Sequence, residues 1–175
     1  VFCHGLGASK ANQIGLVGEL VSAGYNVLAI DLRAHGGCGG QLTTFGDLER
    51  NDVLGAVRWL MANHLDRARR IDGLGVSMGA AALIAAAGDD SPEGRAFDAV
   101  AVYCTYDDLG ALADDVAAHH LDVGPLAWLV QHVSIPIADA HVGRDLRHFA
   151  PIDYAGAIAP RPILVIHGKA DTMID

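Results

Sequence analysis

Five short apolar runs alternate along this chain with stretches of helical spacing, and that alternation limits the fold more than any other feature. The runs are "VFC" (1–3), "YNVLAI" (25–30), "IDGLG" (71–75), "DAVAVYC" (98–104) and "PILVIH" (162–167). They are mostly continuous in apolar character and bounded by Gly, Asp or Pro. Strands of a parallel sheet covered on both faces read this way. Between them, "NQIGLVGELVSAG" sets Leu16, Leu20 and Val21 at helical spacing and stops at Gly24. "FGDLERNDVLGAVRWLMANH" puts Leu54, Val57, Leu60 and Met61 on one stripe. Asp47 and Glu49 then fall in a first turn, where the helix dipole favours acids. This order predicts an α/β fold, a doubly wound and mostly parallel sheet with right-handed crossovers. With 175 residues the chain has room for one such domain, 1–175, and not comfortably for two.

One segment breaks the rhythm. A helical insertion or lid is expected around 107–150, and its most irregular part, 121–150, is too long for an ordinary connection. It combines Trp128, Leu129, Val130, Ile135 and Ile137 with Pro125 and Pro136. Covering a site and packing on the sheet edge are both open for it.

Composition narrows the function. The chain is 51% hydrophobic and 19% charged, which is globular and not disordered. A net charge of -9, with "RARR" (67–70) as the only basic knot, argues against a nucleic-acid partner. No apolar run approaches the roughly 18 residues of a membrane span. Cys3, Cys38 and Cys104 form an odd set without CxxC spacing. That disfavours a disulfide framework or a zinc knuckle and fits reduced thiols, hence a cytoplasmic setting. The chain opens on Val1 inside an apolar run and stops at Asp175 just past another. It reads as a piece of a longer protein, which leaves the question of a signal peptide open.

The polar and Gly-rich residues fall just after the apolar runs, where open parallel sheets bind their ligands. The first such loop is "HGLGASK". Gly5 and Gly7 begin a dinucleotide fingerprint, but Lys10 stands where the third glycine belongs, so the nucleotide reading fails there. The loop can instead aim backbone N–H groups at a developing oxyanion. The second loop is "GLGVSMG", in which Gly75-Val76-Ser77-Met78-Gly79 is the G-x-S-x-G of a nucleophile elbow. Turning from strand to helix in one residue strains the serine by about 1–3 kcal/mol and leaves no space for side chains two positions either side. In return the hydroxyl stands clear at a helix N-terminus, where the Met78 N–H is free to stabilise negative charge. The third loop is "HGKADTMID", with Asp171 as the carboxylate that could orient a histidine.

Assembled in this order, "HGLGAS", "AIDLRAHGGCGG", "GVSMG" and "IAPRPILVIHGKAD" resemble the α/β-hydrolase superfamily, most closely serine hydrolases of the prolyl oligopeptidase type and the BEM46-like group. The resemblance implies Ser77 as nucleophile, Asp171 as triad acid, and the N–H groups of Leu6 and Met78 as the oxyanion hole. It implies strands three to seven of an eight-stranded fold, with the catalytic histidine beyond Asp171 and not within these 175 residues. Ala34 and Cys38 depart from the usual second-loop pattern, which touches loop geometry and not chemistry. His4, His35 and His167 hold family structural positions. His119, His120, His132, His141 and His148 fall in or near the insertion, on the wrong side of Asp171 for a base. Cys38 has no base placed for it and reads as a spare thiol.

The expected function is hydrolysis of a carboxylic ester, thioester or amide of a small acyl substrate through an acyl-enzyme on Ser77, with no cofactor and no metal. The 175 residues alone are expected to be catalytically poor without the base. A peptidase of the prolyl oligopeptidase type and a non-catalytic binding protein on the same fold are the alternatives. Oligomeric state and substrate identity are not legible.

Overall fold

A computed structural model of the chain describes residues 1–64, 66–120, 135–171 and 174. Five parallel strands form one sheet: β1 (Phe2–Cys3), β2 (Ala29–Ile30), β3 (Ile71–Val76), β4 (Phe97–Tyr103) and β5 (Ile163–Ile166). Their spatial order is β2-β1-β3-β4-β5, so the chain winds outward from β1 to one edge and then from β3 to the other. The helices are α1 (Ile14–Ser22), α2 (Glu49–Asn63), α3 (Met78–Ala87), α4 (Pro92–Arg95), α5 (Leu109–His120), α6 (Ile135–Val142) and α7 (Ile152–Ile158). The doubly wound α/β reading holds. The described parts of the expected insertion, α5 and α6, are helical, while Trp128, Leu129, Val130 and His132 lie outside the described residues.

The core sits on the α3 face of the sheet. Every residue of α3 is buried. Its run of alanines lets the helix lie close on β3 and β4, and Leu83 and Ile84 join Val53 and Val57 of α2, Val100 and Val102 of β4, and Ile158 in one cluster. Arg161 ties the ends of this layer together by donating to the carbonyls of Ala87, Gly94, Ala157 and Ile158.

Several details differ from the sequence reading. The expected stripe of α2 shifts toward its N-terminal turns: Val53, Leu54 and Val57 are buried, whereas Met61 is exposed. Asp47 precedes α2 and pairs with Arg144, so a distant ion pair and not the helix dipole accounts for it. The helix α1 forms as its spacing predicts, yet none of its residues is buried. Its Leu20 borders a groove of about 760 Å³ that also meets Leu28, Trp59, Leu74, Ala101 and Leu164 on the face away from α3.

Candidate active site

The backbone at Ser77 decides where the site lies. Ser77 joins β3 to α3 with φ 52 and ψ −122, a left-handed conformation that a residue other than glycine adopts at a cost of about 1–3 kcal/mol. The surroundings hold it there. Its N–H donates to Tyr103 O at 2.9 Å, and its own carbonyl accepts from Ala80 and Ala81. The flanking glycines have no alternative. A Cβ on Gly75 would lie 2.6 Å from Ala80 Cα, and one on Gly79 would lie 2.3 Å from His4 O and 2.6 Å from Cys3 O. The elbow is therefore pressed against the end of β1, and only glycine fits between them.

That pressing brings the first loop over the serine. A Cβ on Gly5 would be 3.2 Å from Ser77 Cβ and 3.8 Å from Ser77 Oγ. Leu6 follows, half exposed, and Gly7 turns the chain at φ +69. Met78 begins α3, where the first N–H groups of a helix lack intrahelical acceptors. Among the described residues, no acceptor pairs with the N–H of Leu6 or of Met78.

Asp171 lies in the loop after β5, with β4 between it and β3. Two strand spacings put the ends of β3 and β5 about 10 Å apart. An imidazole hydrogen-bonded at both nitrogens bridges a gap of that order. The loop folds back over the sheet end: Ile174 is buried in a cluster with Ala81 and Ala85 of α3 and with Tyr106. Asp171 Oδ1 accepts from the Ile174 N–H at 3.1 Å, and Asp171 Oδ2 lies 3.3 Å from His167 Nε2. His167 Nε2 also lies 2.8 Å from Ile174 O, so His167 braces this loop.

No histidine among the described residues is hydrogen-bonded to the Ser77 hydroxyl. His4 is fully buried, with both ring nitrogens engaged by backbone groups. His35 is likewise engaged on both sides. His64 packs at a tilt against Trp59, and exposed His148 pairs with Asp145, which raises its pKa. Cys3 is buried and its thiol is pushed up to about 12, which makes it inert; Cys38 is exposed.

One acidic residue had no functional reading in the sequence. Glu49 is fully buried beside the elbow and accepts from Thr43 Oγ1 (2.9 Å), Thr44 N (2.8 Å), Thr44 Oγ1 (2.6 Å) and Gly46 N (2.8 Å). Thr43 Oγ1 also touches Met78 Sδ at 3.2 Å, and Tyr106 donates to the Phe45 carbonyl. The carboxylate thus organises a loop that backs the N-terminus of α3. Only the i+3 to i+6 spacing of Thr43, Gly46 and Glu49 could have hinted at it.

The 760 Å³ groove is not this site. It opens at the start of β3, around Ile71, Asp72 and Gly73, whereas Ser77 lies beyond the carboxyl end of the same strand.

The alpha/beta hydrolase family model matches residues 1–174. This chain belongs to that family. The Bacillus subtilis (strain 168) protein YqkD is 31% identical over 180 residues, covering 99% of this chain and 55% of YqkD. The Pyrococcus furiosus esterase Pf2001 superposes with a TM-score of 0.73 at 26% identity, over 99% of this chain and 62% of the esterase chain. A Pseudomonas aeruginosa hydrolase shares the fold at a TM-score of 0.57 and 20% identity, over 98% of this chain and 72% of that one. This α/β-hydrolase chain therefore spans about half the length of YqkD and under two thirds of Pf2001.

Proposed function

We propose that this α/β-hydrolase chain carries the nucleophile of a serine hydrolase that cleaves a carboxylic ester of a small acyl substrate. The carrying observation is the left-handed Ser77 at the mouth of the sheet, held between two glycines that no other residue could replace without a backbone clash. Ser77 Oγ attacks the acyl carbonyl, and a histidine C-terminal to Asp171 takes its proton. Asp171 orients that histidine and stabilises its cationic form. The N–H groups of Leu6 and Met78 receive the oxyanion, each worth about 2.7–4 kcal/mol in the transition state. The alcohol then leaves with the proton from the histidine, and water releases the acid by the reverse route.

The Pf2001 likeness favours an ester over a peptide bond. A prolyl oligopeptidase-type or BEM46-like assignment rests on the loop motifs alone. Three free cysteines favour a cytoplasmic setting. Among the described residues no helix is long and apolar enough to cross a membrane.

The test is Ser77→Ala in the complete gene product, assayed on nitrophenyl esters and with a fluorophosphonate label. We expect loss of both turnover and labelling. Ester turnover near the wild-type rate in Ser77→Ala would remove the assignment.

A further inference from the structure

Backbone bonds place Asp171 before its carboxylate comes into play. The Cys104 N–H donates to Ile166 O at 2.9 Å, which carries the pairing of β4 with β5 to the end of the strand. The Asp171 N–H then closes a turn on Gly168 O at 3.1 Å. These bonds fix the chain and leave the side-chain torsions to other contacts. The Ile174 N–H donates to Asp171 Oδ1 at 3.1 Å, and Ile174 is itself buried in the cluster with Ala81 and Ala85 of α3. A donor on one oxygen still lets a carboxylate turn, because the torsion at its Cβ–Cγ bond has a broad, two-fold profile. What lies at Oδ2 therefore bears on the twist.

His167, the first residue after β5, lies there. Its Nε2 is 3.3 Å from Asp171 Oδ2 and 2.8 Å from Ile174 O. A carbonyl and a carboxylate oxygen can only accept, so Nε2 carries a proton in the neutral ring as it does in the cation. The shorter arm anchors the ring on the peptide that follows Ile174. The longer arm presents the same N–H to Oδ2. Asp171 is thus engaged at both oxygens, at one by the peptide before Ile174 and at the other by the ring. Each carboxylate oxygen has two lone pairs, so this engagement does not exclude the N–H of a further imidazole. The His167 side chain is 28% exposed, so its replacement opens no closed cavity.

We propose that His167 is a positioning residue for the triad acid: its Nε2–H, placed between Ile174 O and Asp171 Oδ2, sets the twist at which the carboxylate meets the proton-accepting histidine. The inference rests on the serine-hydrolase reading above. An acid turned out of line orients that imidazole less well and stabilises its cation less. The loss then falls on the transition state and not on substrate binding.

Variants of the complete gene product separate this role from a merely structural one. His167→Leu removes the donor. His167→Gln keeps it, since the amide nitrogen stands the same number of bonds from Cβ as Nε2 and has two N–H groups to share. The readouts are kcat and KM on a nitrophenyl ester and the thermal unfolding midpoint, with Ser77→Ala alongside. Misalignment predicts a fall in kcat of about 10- to 100-fold for His167→Leu, less than the roughly 10⁴-fold of disabling the acid outright, with KM within about twofold. His167→Gln should recover most of that loss. In an Asp171→Ala background, His167→Leu should change kcat by less than about threefold, because the residue through which it acts is gone.

Wild-type kcat in folded His167→Leu would overturn the proposal. The same fold-loss with and without Asp171 would overturn it too, as would His167→Gln impaired as deeply as His167→Leu. Should His167→Leu not fold, His167→Asn, whose amide nitrogen is one bond short of Nε2, is measured in its place and read the same way. Turnover surviving Ser77→Ala would instead strike the hydrolase reading, and this inference with it.

Discussion

The two helices that follow the first two loops of the candidate site are held in opposite ways. Helix α3, which begins with the proposed donor Met78, is buried along its whole length, and its small residues let it lie against β1, β3 and β4. Helix α1, reached through the loop that carries Leu6, buries nothing; Ile14 is 70% exposed and Val21 55%. Steric fit fixes the serine side of the site, because no neighbour of Gly75 or Gly79 can yield. Polar bonds fix the other side: Gly7 to His35, Lys10 to Asp31, and the Ser9 N–H to Asn12 Oδ1 at 2.8 Å. A site built this way has one wall that tolerates almost no change in volume and another that answers to changes in hydrogen bonding.

The sharpest way to break the contrast is to make the same substitution on both sides. Gly79→Ala drives a Cβ into two backbone carbonyls of β1 and the first loop. It should cost about 3 kcal/mol or more, since backbone cannot swing aside as a side chain does. Urea unfolding measures it, and a change within about 0.5 kcal/mol would mean the elbow is looser than its contacts indicate. On α1, Gly15 and Gly18 have nothing within 4 Å of an added Cβ. Gly15→Ala or Gly18→Ala should stabilise by about 0.5–1 kcal/mol, through helix propensity and a less flexible unfolded chain. A loss in either would show that α1 has a close neighbour.

Between these extremes lies Glu49, whose two oxygens each accept two hydrogen bonds. Each oxygen takes one threonine hydroxyl and one backbone N–H, and the N–H can only donate, so the amide N–H₂ of Glu49→Gln strands a backbone donor whichever way it turns. A loss of about 2–3 kcal/mol is expected. Because Thr43 touches Met78, fluorophosphonate labelling of Ser77 should slow as well. Unchanged stability together with unchanged labelling would mean the loop 43–46 has another support.

The contrast also explains what could be read beforehand. The succession of strands and helices along the chain and the turn at Ser77 were legible because both are local: a continuous apolar run, then glycines at fixed offsets from a serine. The covering of α1 was not. Helical spacing tells which residues share a face, and Leu16 and Leu20 do, but it says nothing of what lies opposite. The second strand shrank from "YNVLAI" to Ala29–Ile30, since its neighbour β1 offers only two residues to pair with. The resemblance gives His35 a structural place but no partner, because the partner, Gly7, lies 28 residues back in another loop. Asp47 was assigned to the helix dipole, while Arg144, 97 residues on, is what it binds.

The smallest effect belongs to the polar wall and depends on pH. Asp31 is held well below the usual carboxylate range, first by the Lys10 ammonium at 2.6 Å, then by the Gly37 and Lys10 N–H groups. A carboxylate with a lowered folded-state pKa contributes stability above its unfolded value, near 4, and loses it as pH falls through the folded value. Lys10→Met removes the largest of the three causes. It should lower the unfolding midpoint slightly at pH 7, and the difference from wild type should close as the pH is taken well below roughly 4. Lys10 is half exposed, so the neutral-pH difference should also shrink in added salt. A difference that stays constant from neutral pH to pH 2, or that ignores salt, would mean that Lys10 acts through the packing of its stem. The first loop would then be held by contact after all, as the serine side is.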